Sequence, residues 1–263
     1  MSFYVTAFDH FNEYRNKLKM TTGSANLDSL VDSIQEGQFY LFYGSNMAIL
    51  DGLVYGLLVN CVLPVRKKYG FESMALYMNN VDYYQPDKSV ISSPERIAMA
   101  AKRAGIEPKI VFKNLFVQIA YNQQDQLAVA KQVCDFVESR KQDTRLLVVN
   151  NLTKFFKESK NKNYAASKLK EVLGILCKTC ARNKIALICT GGANITNKGI
   201  IPRPIGGTYL KHVLNVIVHL REYPVSHPLA YKATLIKHQY SKTPKSVIIN
   251  TRKRGRMLVL DGS

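Results

Sequence analysis

Apolar positions along the chain follow two alternating rhythms. Compact runs at 38–43 (QFYLFY), 73–78 (SMALYM), 114–120 (NLFVQIA), 145–150 (RLLVVN) and 184–190 (KIALICT) are short and apolar, and they predict buried strands. Between them the apolar positions recur at helical spacing, over Ile49 to Pro64, over 124–139 and over 164–182. The segment SSPERIAMAAKRAG carries a full set of helix signals: Ser93 as N-cap, Pro94 at the first position, Glu95 in the first turn and Gly105 past the end. Phe8, Phe11 and Leu18 predict one further short amphipathic helix near the N-terminus. Strands alternating with helices give a largely parallel sheet flanked by helices, an α/β fold. After Pro204 the pattern changes to strands without helices, at HVLNVIVHL, YKATLIKH and SVIIN, which predicts a C-terminal antiparallel extension. No stretch reads as a linker dividing the core, so residues 1–20 are taken as an N-terminal linker with a short helix and 21–263 as one domain.

Composition adds a partner to this picture. The 263 residues are 46% hydrophobic, ordinary for a packed globule, but Lys+Arg 37 against Asp+Glu 19 gives a net charge of +18. That excess points to an anionic partner, with nucleic acid ahead of a membrane surface. The longest apolar run, LVYGLLVNCVLPV, is too short to span a bilayer, and the N-terminus has no signal-peptide core. An intracellular protein is expected, cytoplasmic or nucleoid-associated in a prokaryote and nuclear in a eukaryote. Five cysteines at irregular spacing suit a reducing compartment, and the lone CxxC at Cys177 and Cys180 falls in a helical pattern as buried thiols. There is no G-x-S-x-G and no histidine pair at metal spacing, so neither a metal nor a cofactor is expected.

One stretch carries a trace of chemistry. FYGSNMAILDG, 42–52, joins a strand to a helix where a phosphate-binding loop belongs, yet the motif G-x-x-x-x-G-K-[ST] begun at Gly44 would need Gly-Lys-Ser/Thr where Ile49, Leu50 and Asp51 stand.

Five stretches, TTGSANLDSLV, SSPERIAMAAKRAGIEP, NLFVQIAYNQQDQLAVAKQ, RLLVVNNLTKFF and PRPIGGTYLKHVLNVIVHLRE, resemble the catalytic core of the RecA/RadA recombinase family in order and spacing, from about residue 3 to 250. The match is to a short paralogue without the family's helix-hairpin-helix domain. The resemblance implies that the phosphate-binding lysine falls on Leu50 and the magnesium-binding hydroxyl on Asp51. It places the Walker B aspartate on Asn150, the catalytic glutamate on Val81 and the polar sensor on Gly192. These losses imply a pseudo-ATPase, because each part is separately worth orders of magnitude in rate. Leu50, Ile49 and Val81 would then stabilise a sheet edge formerly occupied by nucleotide.

The resemblance further implies DNA contact by two loops. The first, 156–164, carries Lys157, Lys160, Lys162 and Tyr164; the second, 192–207, carries Lys198, Arg203, Gly206 and Gly207. The tail TRKRGRM adds Arg252, Lys253, Arg254 and Arg256, as a DNA contact or a frayed charged end. Single-stranded DNA ranks ahead of duplex. A protein partner is implied at the family's F-x-x-A polymerisation segment, which falls on Tyr4 to Ala7 and would dock on a RadA-like recombinase or another paralogue. The expectation is a non-catalytic paralogue modulating homologous recombination and repair. The alternatives are a divergent KaiC-like or RecA-like nucleotide hydrolase, and a purely structural subunit of an active paralogue.

Overall fold

The computed structural model describes residues 16–65, 70–81, 94–140, 143–194, 201–223, 230–254 and 257–260, with Thr6, Phe8 and Asn12 as isolated positions; for 252–254 and 257–260 it describes the backbone alone. Two two-residue strands, β1 (Lys19–Met20) and β2 (Ile34–Gln35), pair antiparallel around helix α1 (Ala25–Val31), whose N-cap is Ser24. An ion pair between Arg145 and Glu36 at 2.8 Å fastens this small unit to the main sheet.

The main sheet grows from the apolar runs. In chain order the parallel part comprises β3 (Phe39–Gly44), β4 (Met74–Asn80), β5 (Leu115–Ala120), β6 (Thr144–Asn150) and β7 (Ala186–Gly192). It continues through β8 (Val216–Glu222), and then β9 (Ala230–Lys237), β10 (Lys245–Arg254) and β11 (Met257–Leu260) add in antiparallel sense. The spatial order is β11-β10-β9-β8-β3-β7-β6-β4-β5.

Helices α2 (Met47–Val62), α3 (Pro94–Arg103) and α4 (Pro108–Lys113) cover one face. The other face carries α5 (Gln123–Ser139), α6 (Lys154–Glu158), α7 (Lys162–Arg182) and α8 (Thr208–Val213). Each face closes over its own apolar cluster, because alternate strand residues point to opposite sides. Helix α2 is apolar nearly all round and packs against α3, α4 and β11 as well as the sheet, as such a composition requires.

Three expectations need correction. The run HVLNVIVHL is not one strand: residues 208–213 form α8, and β8 begins only at Val216. The break is at Asn215, whose N–H donates to the Phe39 carbonyl while its side-chain oxygen accepts from the Phe39 N–H. Strand β8 is moreover parallel to β3, so the antiparallel extension starts one strand later, at β9. The tail at 251–254 is not a frayed end, since it pairs with 257–260 as a hairpin. Ser93, Phe11 and most of the first amphipathic helix lie outside the described residues, whereas Gly105 follows α3 with φ +73°, as a helix terminator does.

Candidate functional site

Strand β3 ends at Gly44 and α2 begins at Met47, leaving only Ser45 and Asn46 between them. Asn46 is the N-cap: its side-chain oxygen accepts from the Ala48 N–H at 2.9 Å, and its amide donates to Glu222 Oε1 at 2.6 Å and approaches the Tyr231 hydroxyl at 3.3 Å. These bonds tie the start of the helix to β8 and β9. Ile49 and Leu50 sit inside the helix, 1% and 0% exposed, in the cluster between α2 and the sheet. They pack at the C-terminal end of the sheet, whose lateral edges are β11 and β5, which corrects the expectation that they line a sheet edge. Gly44 has a packing reason to be glycine, because a Cβ there would lie 2.4 Å from the Leu220 carbonyl oxygen on β8.

Asp51, one residue on, meets Asn150 at the end of β6. Asn150 at the end of β6 places its amide nitrogen 3.2 Å from each of Asp51 Oδ1, the Tyr77 hydroxyl and Asn79 Oδ1. An amide has two N–H groups, so it serves two of these acceptors at once. The Asn150 side-chain oxygen accepts from the Thr190 hydroxyl, whose own oxygen accepts from the Asn151 N–H at 2.8 Å. Burial pushes the Asp51 carboxyl up from its usual range, offset in part by the Asn150 hydrogen bond and the charge of Arg96. Burial likewise raises the Tyr77 phenol. The arrangement holds a carboxylate through an amide donor.

Of the remaining site positions, Gly44 and Gly192 are register partners at the ends of β3 and β7, and the Gly192 carbonyl accepts from the Ile205 N–H at 3.0 Å. A Cβ on Gly192 would meet Ile205 Cδ1 at 2.8 Å. Val81, just past β4, is buried and donates its N–H to the Ala120 carbonyl. Sequence reasoning missed Asn46, Tyr77, Asn79, Thr190 and Glu222. The only signal for them is that Tyr77 and Asn79 alternate onto the α2 face of β4.

The first basic segment is not a loop of nine residues. Lys157 lies on α6, only Ser159, Lys160 and Asn161 connect the helices, and Lys162 and Tyr164 belong to the first turn of α7. Asn161 caps that helix by accepting from the Tyr164 N–H. Lys162 Nζ donates to the carbonyls of Phe156 and Lys157 at 3.0 and 2.7 Å, and so caps the end of α6. Lys157 and Lys160 are exposed.

In the second segment Arg203 is exposed, and Gly206 and Gly207, at φ +103° and +78°, make the turn into α8. Lys198 lies outside the described residues, as do Tyr4, Ala7 and Arg256; Arg252, Lys253 and Arg254 are placed on β10 by backbone alone. Cys180 and Cys189 are buried, and burial pushes the Cys177 thiol up to about 12, so these cysteines are protonated. Among the described residues no group of three His, Cys, Asp or Glu is arranged to hold a metal ion, and no helix is long and apolar enough to cross a membrane.

The second segment rests on two buried rings. The Tyr43 hydroxyl donates to the Pro202 carbonyl at 2.7 Å, and His219 of β8 lies against the Tyr43 ring with centroids 5.0 Å apart. Burial, and secondarily the charge of Arg221, lowers the His219 pKa to about 4. The unfolded chain, with an ordinary histidine near 6.5, therefore binds a proton between about pH 6.5 and 4 that the folded chain does not. Stability contributed by neutral His219 is present above pH 6.5 and lost as pH falls towards 4. Denaturant unfolding is expected to show about 2 kcal/mol less stability at pH 5 than at pH 7 from this group. His219→Phe should flatten that dependence, and an unchanged slope in the variant would remove His219 as its source.

Six parallel strands with crossover helices on both faces, and a polar site at their C-terminal ends, define a RecA-like α/β core. A family model described as Rad51 matches residues 14–227, and the chain belongs to that family. It is 29% identical over 155 residues to the DNA repair and recombination protein RadA of Aeropyrum pernix, covering 59% of this chain and 45% of the relative. A protein of the same description from Metallosphaera sedula is 26% identical over 227 residues, covering 83% of this chain and 67% of the relative. The chain thus spans about half to two thirds of the length of these relatives.

Proposed function

We propose that this chain is a DNA-binding member of the Rad51 family that acts without nucleotide and modulates recombination and repair beside a RadA-like recombinase. The observation that carries the reading is the hydrogen bond from Asn150 to Asp51 at 3.2 Å, together with the complete burial of Leu50 one residue before it. A carboxylate and an amide occupy the positions where the family resemblance puts a metal-binding hydroxyl and aspartate, and an apolar side chain replaces the phosphate-binding cation. Electrostatically, a half-buried Asp51 and the Glu222 carboxylate beside the helix N-cap oppose a triphosphate rather than attract it.

The charge of +18 and the exposed Lys157, Lys160 and Arg203 support an anionic partner contacted through its phosphates. Lys162 contributes less, because its ammonium is engaged by two carbonyls. Association with a recombinase is assigned to Tyr4 and Ala7, through edge-strand addition. Tyr4→Ala with Ala7→Glu should abolish co-elution with that partner while DNA affinity is kept; unchanged co-elution would place the interface elsewhere.

DNA binding should be largely independent of base sequence and steeply salt-dependent. The triple change Lys160→Ala, Lys198→Ala and Arg203→Ala is expected to lower affinity and to reduce the slope of log affinity against log salt by up to about 2.7 on duplex, about 0.9 for each phosphate no longer neutralised. A salt titration showing the same slope and affinity as the parent would overturn the assignment of these residues.

A further inference from the structure

We propose that the outward face of α7, with Tyr209 of the neighbouring α8, is a stacking surface for single-stranded DNA; this rests on the DNA-binding reading above, starts from Tyr164 of the first predicted segment and extends the contact along α7 to Lys170 and Tyr209. Helix α7 buries Ala165, Leu169, Val172, Leu173, Leu176 and Cys180 against the sheet. On the opposite side, at matching helical spacing, Asn163, Ser167, Lys170, Gly174 and Lys178 are all exposed. Exposed Tyr164, next to Asn163 on the helix, and half-buried Tyr209, beside Lys170, border this stripe, and each tyrosine has a lysine against its ring. The Lys168 ammonium lies 5.8 Å from the centre of the Tyr164 ring, and that of Lys170 lies 5.6 Å from the centre of Tyr209.

These pairs differ in how their charge is used. Lys168 is also bonded to Glu171 at 2.9 Å, so its charge is largely balanced within the helix. No carboxylate is paired with Lys170 among the described residues, which leaves it the stronger phosphate contact. Tyr164 is 47% exposed, a large aromatic area to leave in water at the head of an otherwise well-packed helix. A ring face beside an ammonium offers the two things a nucleotide presents contacts for, a surface for the base and a charge for its phosphate. Charge complementarity with a chain of +18 selects a polyanion as the occupant. The tyrosines select its form, because bases reach a protein ring only when they are not stacked in a duplex. Duplex DNA would meet the lysines alone.

The test uses the full chain, with fluorescence anisotropy on labelled oligo-dT and on a blunt hairpin duplex at one salt concentration. Tyr164→Ala with Tyr209→Ala should weaken binding to oligo-dT by roughly tenfold or more and leave duplex binding within about twofold. Tyr164→Phe with Tyr209→Phe keeps both rings and should bind like the parent, which separates stacking from damage to α8. Lys170→Ala should weaken both substrates. An alanine pair that binds oligo-dT like the parent, or loses both substrates equally while the phenylalanine pair loses neither, would overturn the stacking surface while leaving DNA binding in place. A parent chain that binds neither substrate would overturn the DNA-binding reading itself.

Discussion

Leu50→Lys, the substitution that puts back the lysine implied by the family's phosphate-binding motif, is expected to destabilise the chain by about 3–5 kcal/mol and to confer no nucleotide binding. Leu50 is 0% exposed and belongs to the cluster between α2 and the sheet. A lysine there must either bury its ammonium among Leu, Val and Tyr side chains or displace the first turns of the helix. Asp51 cannot serve as its counter-ion, because adjacent residues on a helix do not face one another. The two-residue connection through Ser45 and Asn46 also leaves little backbone with which to wrap a phosphate, and the N-cap bond to Ala48 already uses one of the helix's free N–H groups. Urea unfolding of the variant measures the effect. A variant as stable as the parent that also binds ATP would show that the loop can reopen, and would count against a site rebuilt for packing.

Asn150→Asp, the matching restoration at the end of β6, is expected to cost about 2–4 kcal/mol at pH 7. The amide now donates to two of Asp51, Tyr77 and Asn79 at a time; a carboxylate donates nothing and faces Asp51 as a like charge. Burial already holds the Asp51 carboxyl above its usual range, and the change deletes the hydrogen bond that offsets this. The folded variant would therefore hold a proton that the unfolded chain releases. Its stability should rise relative to the parent as pH falls from 7 towards 5, the reverse of the His219 dependence. Asp51→Asn in the same chain returns one donor to the pair and should recover most of the loss. A double-mutant cycle with no coupling between positions 51 and 150 would show that the hydrogen bond contributes little.

The elements that were legible in the sequence are those whose signals are local. Helix α2 could be read because sixteen residues, apolar nearly all round, admit no other placement than between layers, and α5 and α7 because their apolar stripes recur over four turns or more. Helices α4 and α8, six residues each, were not legible. Neither is long enough to show a period, and only the single polar Asn215 separates the apolar end of α8 from β8. The resemblance singles out Leu50, Asp51 and Asn150 from the order of matching stretches. Their environment was not legible, because Asp51 meets Asn150 across 99 residues of chain and the supporting Tyr77, Asn79 and Thr190 come from two further strands. The Lys162 bonds are local by contrast, to carbonyls five and six residues back, but the sequence marks no helix end there for the ammonium to cap.

Whether DNA binding needs nucleotide is decided by one measurement. DNA affinity of the full chain, measured at fixed salt with and without magnesium and ATP, is predicted to be the same in both conditions. Binding that appears or strengthens severalfold only when ATP and magnesium are present would contradict a nucleotide-independent DNA-binding protein.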